Sequence, residues 1–198
     1  LTNTFGANRF RLALHKAENQ VHELNLAGAS IARKVADLSE RTVLVAGSIG
    51  PTGEILEPLG TLSKAEAESA FTDQAIALKE AGVDLAWIET MSSQEEMESA
   101  IVASKNVGLP IVCTYSFDTH GKSMMGLEPK ELVKLAEEHS PEIMGYGANC
   151  GIGAAELIGS ILCLVKSRKN HAMHIVAKGN CGIPEFIDGE IKYDGTEE

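Results

Sequence analysis

The stretch VLVAGSIGPTG, Val43–Gly53, together with SKAEAESAFTDQAIALKEAGV, Ser63–Val83, decides the fold class. The first piece is a short apolar, β-rich run that ends in glycines. In the second, Ala67, Ala70, Phe71, Ile76, Leu78 and Ala81 recur at helical spacing, Ser63 can cap the start and Gly82 can end it. Strand, polar loop and helix make one βα unit.

The unit repeats outward from there. DLAWIET is followed by a helix over 93–106, where Ser92 or Ser93 can cap and Glu95 and Glu96 lie in the first turn. LPIVCTYSF precedes a helix over 129–139, EIMGYGANC precedes one over 154–168, and HIVAKGN comes last. Counting LTNTF at the start, six strands are expected, each apolar throughout rather than alternating, as in a parallel sheet covered on both faces. Polar or small residues directly follow the apolar runs in TNTFGAN, SIGPTG, IETMSS, TYSFDTHG, ANCGIG and KGNCGIP. A barrel gathers all such tips at one mouth, whereas an open doubly wound sheet gathers them at its switch point. The expectation is therefore an α/β protein, an incomplete (β/α)8 TIM barrel, as a single domain over residues 1–198.

Composition restricts the partners. The 198 residues are 44% hydrophobic, enough for a buried core. A net charge of −11 without a Lys/Arg run argues against nucleic acid and anionic membrane, which need concentrated positive charge. A small molecule or another subunit fits better. No basic segment followed by an apolar stretch opens the chain, and Cys113, Cys150, Cys163 and Cys181 are widely spaced, so a reduced, cytoplasmic setting is expected. The chain starts LTNTFG without an initiating Met and ends DGEIKYDGTEE, polar and with no element closed after it, as an internal piece of a longer protein would.

Within IMGYGANCGIG, Ile143–Gly153, Cys150 stands at a strand tip beside Asn149 with glycines around it. Spacing alone favours a small buried Cys, while the tip position suits a metal ligand or nucleophile. Cys113 in PIVC and Cys163 in ELIGSILCLV read as core residues, Cys181 in KGNCGIP stands at a strand tip, and no CxxC occurs. Glu89 ends LAWIE, where a carboxylate is costly to bury without a partner; a solvated strand end is the plain alternative. Thr4, Phe5 and Ser48 are expected at the same mouth, with hydroxyls and backbone N–H groups to offer, or simply as strand-end caps. Trp87 reads as core. His15, His22, His139 and His171 read as solvated, while His120 lies on a loop where it can touch a substrate. Lys178, at the end of a late strand, allows a different enzyme, an aldolase-like barrel with a Schiff-base lysine.

LTNTFGANRFRL, VAGSIGPTGE, WIETMSS, YGANCGIG and VAKGNCGIPE, in that order, resemble the homocysteine S-methyltransferase family, which includes betaine–homocysteine enzymes and the homocysteine domain of methionine synthase. The resemblance covers nearly the whole chain. It implies zinc-dependent methyl transfer from a small methyl donor to the thiol of homocysteine, giving methionine, with Zn2+ held by three cysteine thiolates and the homocysteine sulfur in fourth place. Cys150 would be one thiolate, Asn149 would lie beside the substrate, and Glu89 would bind its amino group. Zinc keeps a thiol that is mostly protonated at neutral pH as the nucleophilic thiolate. The donor is open among betaine, S-methylmethionine, a methylfolate and a methylcorrinoid, with a small onium donor preferred, and a homo-oligomer is possible.

Two family features are missing from these residues, the acidic-glycine turn of the first strand and the paired-cysteine GGCCG motif of the last. The barrel is thus expected to hold strands 2 to 7, and the other two thiolates to lie outside this chain. Six strands alone would leave open sheet edges and an unfilled interior. A longer parent protein is the expectation, checked by the intact mass of the polypeptide; a metal-free, non-catalytic barrel is the third reading.

Overall fold

The computed structural model describes residues 1–118, 120–151, 153–180, 182 and 184–193. Two compact units, Leu1–Val112 and Cys113–Glu198, divide inside a strand.

In the first unit, helix α1 (Arg9–Ala13) starts at Asn8, whose side chain accepts from the N–H groups of Phe10 and Arg11. A 3-10 turn leads into α2 (Val21–Asp37), which buries Val21, Asn25, Gly28, Ala29 and Ala36. Strand β1 (Ala46–Ile49) is buried throughout and pairs in parallel with β2 (Leu85–Met91), Ser48 opposite Trp87. Between them runs α3 (Lys64–Glu80), with the expected Ser63 cap closed into a capping box by Glu66. Gly82 follows with φ +82°, a conformation that a Cβ disfavours. Helix α4 (Gln94–Val107) is capped by Ser93 and ends at Gly108 in the left-handed region. Phe71, Leu78, Ile49, Ile88, Met91, Met97 and Ile101 fill the core of this unit, each worth about 1.5–3 kcal/mol on burial.

Strand β3 (Ile111–Tyr115) carries the chain from one unit into the next. The second unit continues with α5 (Pro129–Glu138), with Pro129 in its first turn, and β4 (Ile143–Cys150). Then come α6 (Ala154–Ser167) and β5 (His174–Gly179), which pairs in parallel with β4, Asn149 opposite Lys178. Gly147 is required here: a Cβ on it would lie 1.9 Å from the backbone oxygen of Val176. β6 (Pro184–Ile187) and β7 (Glu190–Tyr193) form an antiparallel hairpin.

The sheet order is β1-β2-β3-β4-β5. The order follows the chain and contains no reversal, so the described strands have no switch point. That is the order of the expected (β/α)8 barrel and not of a doubly wound sheet. Among the described residues no helix is long and apolar enough to cross a membrane.

Four expectations need correction. LTNTF is not a strand: Thr2 donates its N–H to the oxygen of Ala46, but the hydroxyls of Thr2 and Thr4 bond to the backbone of Ser48 in place of a ladder, and the chain turns at Phe5 and Gly6. Ile76 is exposed while Gln74 is buried, because Gln74 sits on the stripe of Ala67, Ala70, Phe71 and Leu78 and bonds across it. Cys163 is exposed, since α6 buries only Ser160 and Leu164 and turns Ile158, Leu162 and Val165 outward as well. The polar tail holds the β6–β7 hairpin, turned by Asp188 at φ +54° and Gly189 at φ +85°.

Candidate functional site

Two clusters of the expected site residues form, one in each unit. In the first, Glu89 lies near the end of β2 and is only 5% exposed. Its Oε1 accepts the hydroxyl of Ser48 at 2.6 Å. Ser48 is held by a short relay of hydroxyls. Its N–H donates to Thr2 Oγ1 at 2.9 Å, the Thr2 and Thr4 hydroxyls are 2.7 Å apart, and Thr4 Oγ1 donates to the Ser48 carbonyl at 2.7 Å. With both backbone groups of Ser48 engaged this way, its side chain is directed at Glu89.

A second layer supports the first. Gln74 Nε2 donates to the Thr4 oxygen at 2.8 Å and to Asn25 Oδ1 at 3.1 Å, and Asn25 Nδ2 donates to the oxygens of Ala7 and Val21. Phe5 is 37% exposed and contributes its backbone: its oxygen accepts the Gly50 N–H at 3.0 Å. Its ring lies so close that a Cβ on Gly50 would meet it at 2.5 Å. Thr90, directly after Glu89, has φ +64°, a conformation costing roughly 1–3 kcal/mol for a β-branched residue. Such strain is stored where the surroundings over-determine the backbone. Trp87, one alternation before Glu89, is half-buried, with an indole N–H that has no hydrogen-bond partner among the described residues.

In the second unit, Asn149 is buried at the end of β4. Thr114 on β3 donates its hydroxyl to Asn149 Oδ1 at 2.5 Å, which leaves the amide Nδ2 pointing at Cys150 Sγ, 3.1 Å away. Cys150 is half-buried and has φ +57°. The N–H donated to sulfur fixes the orientation of the side chain, and the left-handed backbone sets it at a position where the regular strand geometry ends. By contrast Cys113, fully buried on β3 and without a charge partner, has its pKa pushed up to about 12 by desolvation and is inert.

Zn2+ fits Cys150 as one ligand, because the sulfur is partly accessible, oriented by Asn149 and at a strand tip. Among the described residues no group of three His, Cys, Asp or Glu side chains can hold a metal ion, so Cys150 alone does not make a site.

The remaining candidates separate. Lys178 is exposed on β5, without the burial that a Schiff-base lysine needs. His120 is exposed on its loop, and Cys181 lies outside the described residues. His22 pairs with Glu80 at 2.7 Å on the surface. Sequence reasoning missed Thr2, Thr114, Gln74, Asn25 and the contact between Thr52 and Glu96. Only Gln74 carried a readable signal, its place on the buried stripe of α3; the others act through pairings between segments 18 to 49 residues apart.

Comparison with known proteins adds the following. The family model described as homocysteine S-methyltransferase matches residues 1–198. Methionine synthase from Mycobacterium tuberculosis is 28% identical over 165 residues, 79% of this chain and 14% of that protein. Methionine synthase from Mycobacterium leprae is 26% identical over 192 residues, 92% of this chain and 15% of that protein. The chain thus spans about one seventh of the length of these curated relatives. Among solved structures, the metallated form of the homocysteine methyltransferase MmuM from Escherichia coli superposes with a TM-score of 0.76 at 22% identity, covering 91% of this chain and 66% of that one. Its oxidised form gives 0.72 at 23% identity, covering 90% and 64%. At these identities the superpositions establish the fold, and the parallel βα arrangement read from the sequence is that fold.

Proposed function

The chain belongs to the homocysteine S-methyltransferase family, and from that premise we propose that it forms the part of a methyltransferase that takes homocysteine as methyl acceptor and yields methionine. The observation that carries this reading is the Asn149 amide aimed at the sulfur of Cys150 at the tip of β4. A partly accessible sulfur at a strand tip, on a left-handed residue and held in one orientation by an amide, suits a metal ligand.

Each residue then has a task. Glu89, buried and bonded to Ser48, meets the ammonium of homocysteine, where a charge-assisted bond replaces the water both groups lose. Ser48, fixed by Thr2 and Thr4, holds that carboxylate in one orientation. Thr114 fixes the amide of Asn149, and Asn149 fixes the Cys150 sulfur. Cys150 would supply one thiolate to Zn2+, and the other two thiolates would come from outside this chain. When bound, zinc keeps the homocysteine sulfur as thiolate at neutral pH. That sulfur attacks the donor's methyl carbon, and the donor leaves with the electron pair of the broken bond. A small onium donor such as betaine or S-methylmethionine fits, because a positively charged leaving group departs neutral.

The test uses the full-length protein with L-homocysteine, zinc analysis and a panel of betaine, S-methylmethionine, a methylfolate and methylcobalamin. One donor is expected to yield methionine, and Cys150→Ala is expected to lower both bound zinc and turnover by about 100-fold or more. Stoichiometric zinc and full turnover in Cys150→Ala would overturn the reading.

A further inference from the structure

Glu96 is a buried acid to which none of these steps assigns a role. It lies in the first turn of α4 and is only 4% exposed. Its Oε1 accepts two bonds from one residue, the backbone N–H of Thr52 at 2.7 Å and the Thr52 hydroxyl at 2.5 Å. Thr52 is itself buried and belongs to the loop Gly50–Gly53 that follows β1. Two further bonds hold this loop: Gly50 N–H donates to the Phe5 oxygen at 3.0 Å, and Asn8 Nδ2 donates to the Pro51 oxygen at 3.3 Å. The Glu96 end is fixed too, because Ser93 Oγ accepts the Glu96 N–H at 3.2 Å.

A carboxyl group taken out of water is costly, and burial raises the pKa of Glu96 against the lowering effect of its bonds to Thr52. Surface packing would not require an acid there. What the group achieves is a tie between two segments of the first unit, the loop after Ser48 on β1 and the helix after Glu89 on β2. Those are the two residues whose side chains meet at 2.6 Å.

We propose that Glu96 is a positioning residue for substrate recognition: by holding Thr52 it sets the β1 loop so that Ser48 stays on Glu89 and the Glu89 carboxylate faces the ammonium of the amino-acid substrate. The inference rests on the reading of Glu89 given above. It assigns to Glu96 selectivity for an acceptor thiol that carries an α-ammonium group, over the same thiol without one.

The experiment is calorimetric binding of L-homocysteine and of 4-mercaptobutyrate, which lacks the amino group, to the zinc-loaded full-length protein. Glu96→Ala is expected to weaken L-homocysteine about tenfold or more and 4-mercaptobutyrate by no more than about twofold, the loss expected for disturbing a bond between charged groups. Glu96→Gln, whose amide oxygen can accept both Thr52 donors, is expected to bind L-homocysteine within about threefold of the wild type. A residue that merely supported the fold would weaken both thiols together, and that result, or unchanged affinity in Glu96→Ala, would overturn the inference. Should Glu96→Ala fail to fold, Thr52→Val removes one of the two bonds and is expected to give a loss of about threefold confined to L-homocysteine; equal loss for both thiols, or none, again overturns it. Glu89→Gln separates the two readings. If it binds L-homocysteine as the wild type does, the ammonium reading and this inference fall together; if it is selectively weakened while Glu96→Ala is not, only the inference falls.

Discussion

At the scale of single residues, two cysteines on neighbouring positions of the strand order have opposite fates. Cys150 shares its sulfur with an amide N–H at a strand tip, while Cys113 lies inside β3 with no polar partner to stabilise a negative charge. The thiol of Cys113, with its pKa pushed up to about 12, is therefore expected to react with Ellman's reagent at pH 8 orders of magnitude more slowly than a peptide thiol, in a variant carrying Ala at positions 150, 163 and 181. Reactivity should return in denaturant. The sign of the linked pH effect follows from the raised value: the stabilisation is fully present below the unfolded thiol value near 8.5 and is lost as pH rises toward about 12. Over that range it amounts to at most about 5 kcal/mol. Alkaline unfolding that is the same in Cys113→Ala as in the wild type would contradict this. The sequence already separated these two cysteines, since one followed an apolar run and the other sat among it. It did not show Thr114 fixing the amide of Asn149 that faces the sulfur, because a hydrogen bond between residues 35 apart leaves no local pattern.

At the scale of elements, the helices were the most legible features. Ser63 and Ser93 cap where expected, Gly82 and Gly108 end their helices in positive φ, and the ranges of α3 through α6 fall within two residues of the sequence reading. Capping is a local competition between side chain and backbone, so a few adjacent residues settle it. The glycines of YGANCG had a reason that only the paired strands reveal. β5 approaches β4 so closely at Gly147 that a methyl group would penetrate the Val176 carbonyl. Gly147→Ala is expected to cost on the order of 3 kcal/mol, seen as a fall in Tm and in the midpoint of urea unfolding. Gly159→Ala is the control. It lies in α6 with nothing within 4 Å of its Cβ, and helix propensity there favours Ala by about 1 kcal/mol. If Gly147→Ala were as stable as the wild type, the strand spacing described here would be wrong.

At the scale of the whole molecule, charge and pairing order matter most. The 28 acidic residues exceed the 17 basic ones, giving −11. Exposed ion pairs such as Arg9–Asp73 and Lys64–Glu98 are each worth about 0–1 kcal/mol and are themselves screened, so the excess negative charge dominates the response to salt. Raising sodium chloride from 10 mM to 150 mM shortens the screening length from about 30 Å to about 8 Å. Tm is expected to rise over that interval; a fall would mean that the pairs outweigh the repulsion. The parallel class, the alternation of strand and helix, and the strand-end positions of Glu89 and Cys150 were determined by the sequence alone, because each depends on residues a few positions apart or on a repeat of apolar runs. The tertiary structure decided what came from distant segments. It replaced the first expected strand with a relay of threonine hydroxyls, put Gln74 rather than Ile76 in the core, and brought Thr52 to Glu96 across 44 residues. Those outcomes depend on which surfaces meet, and a buried polar group takes whichever partner the assembled backbone brings within reach.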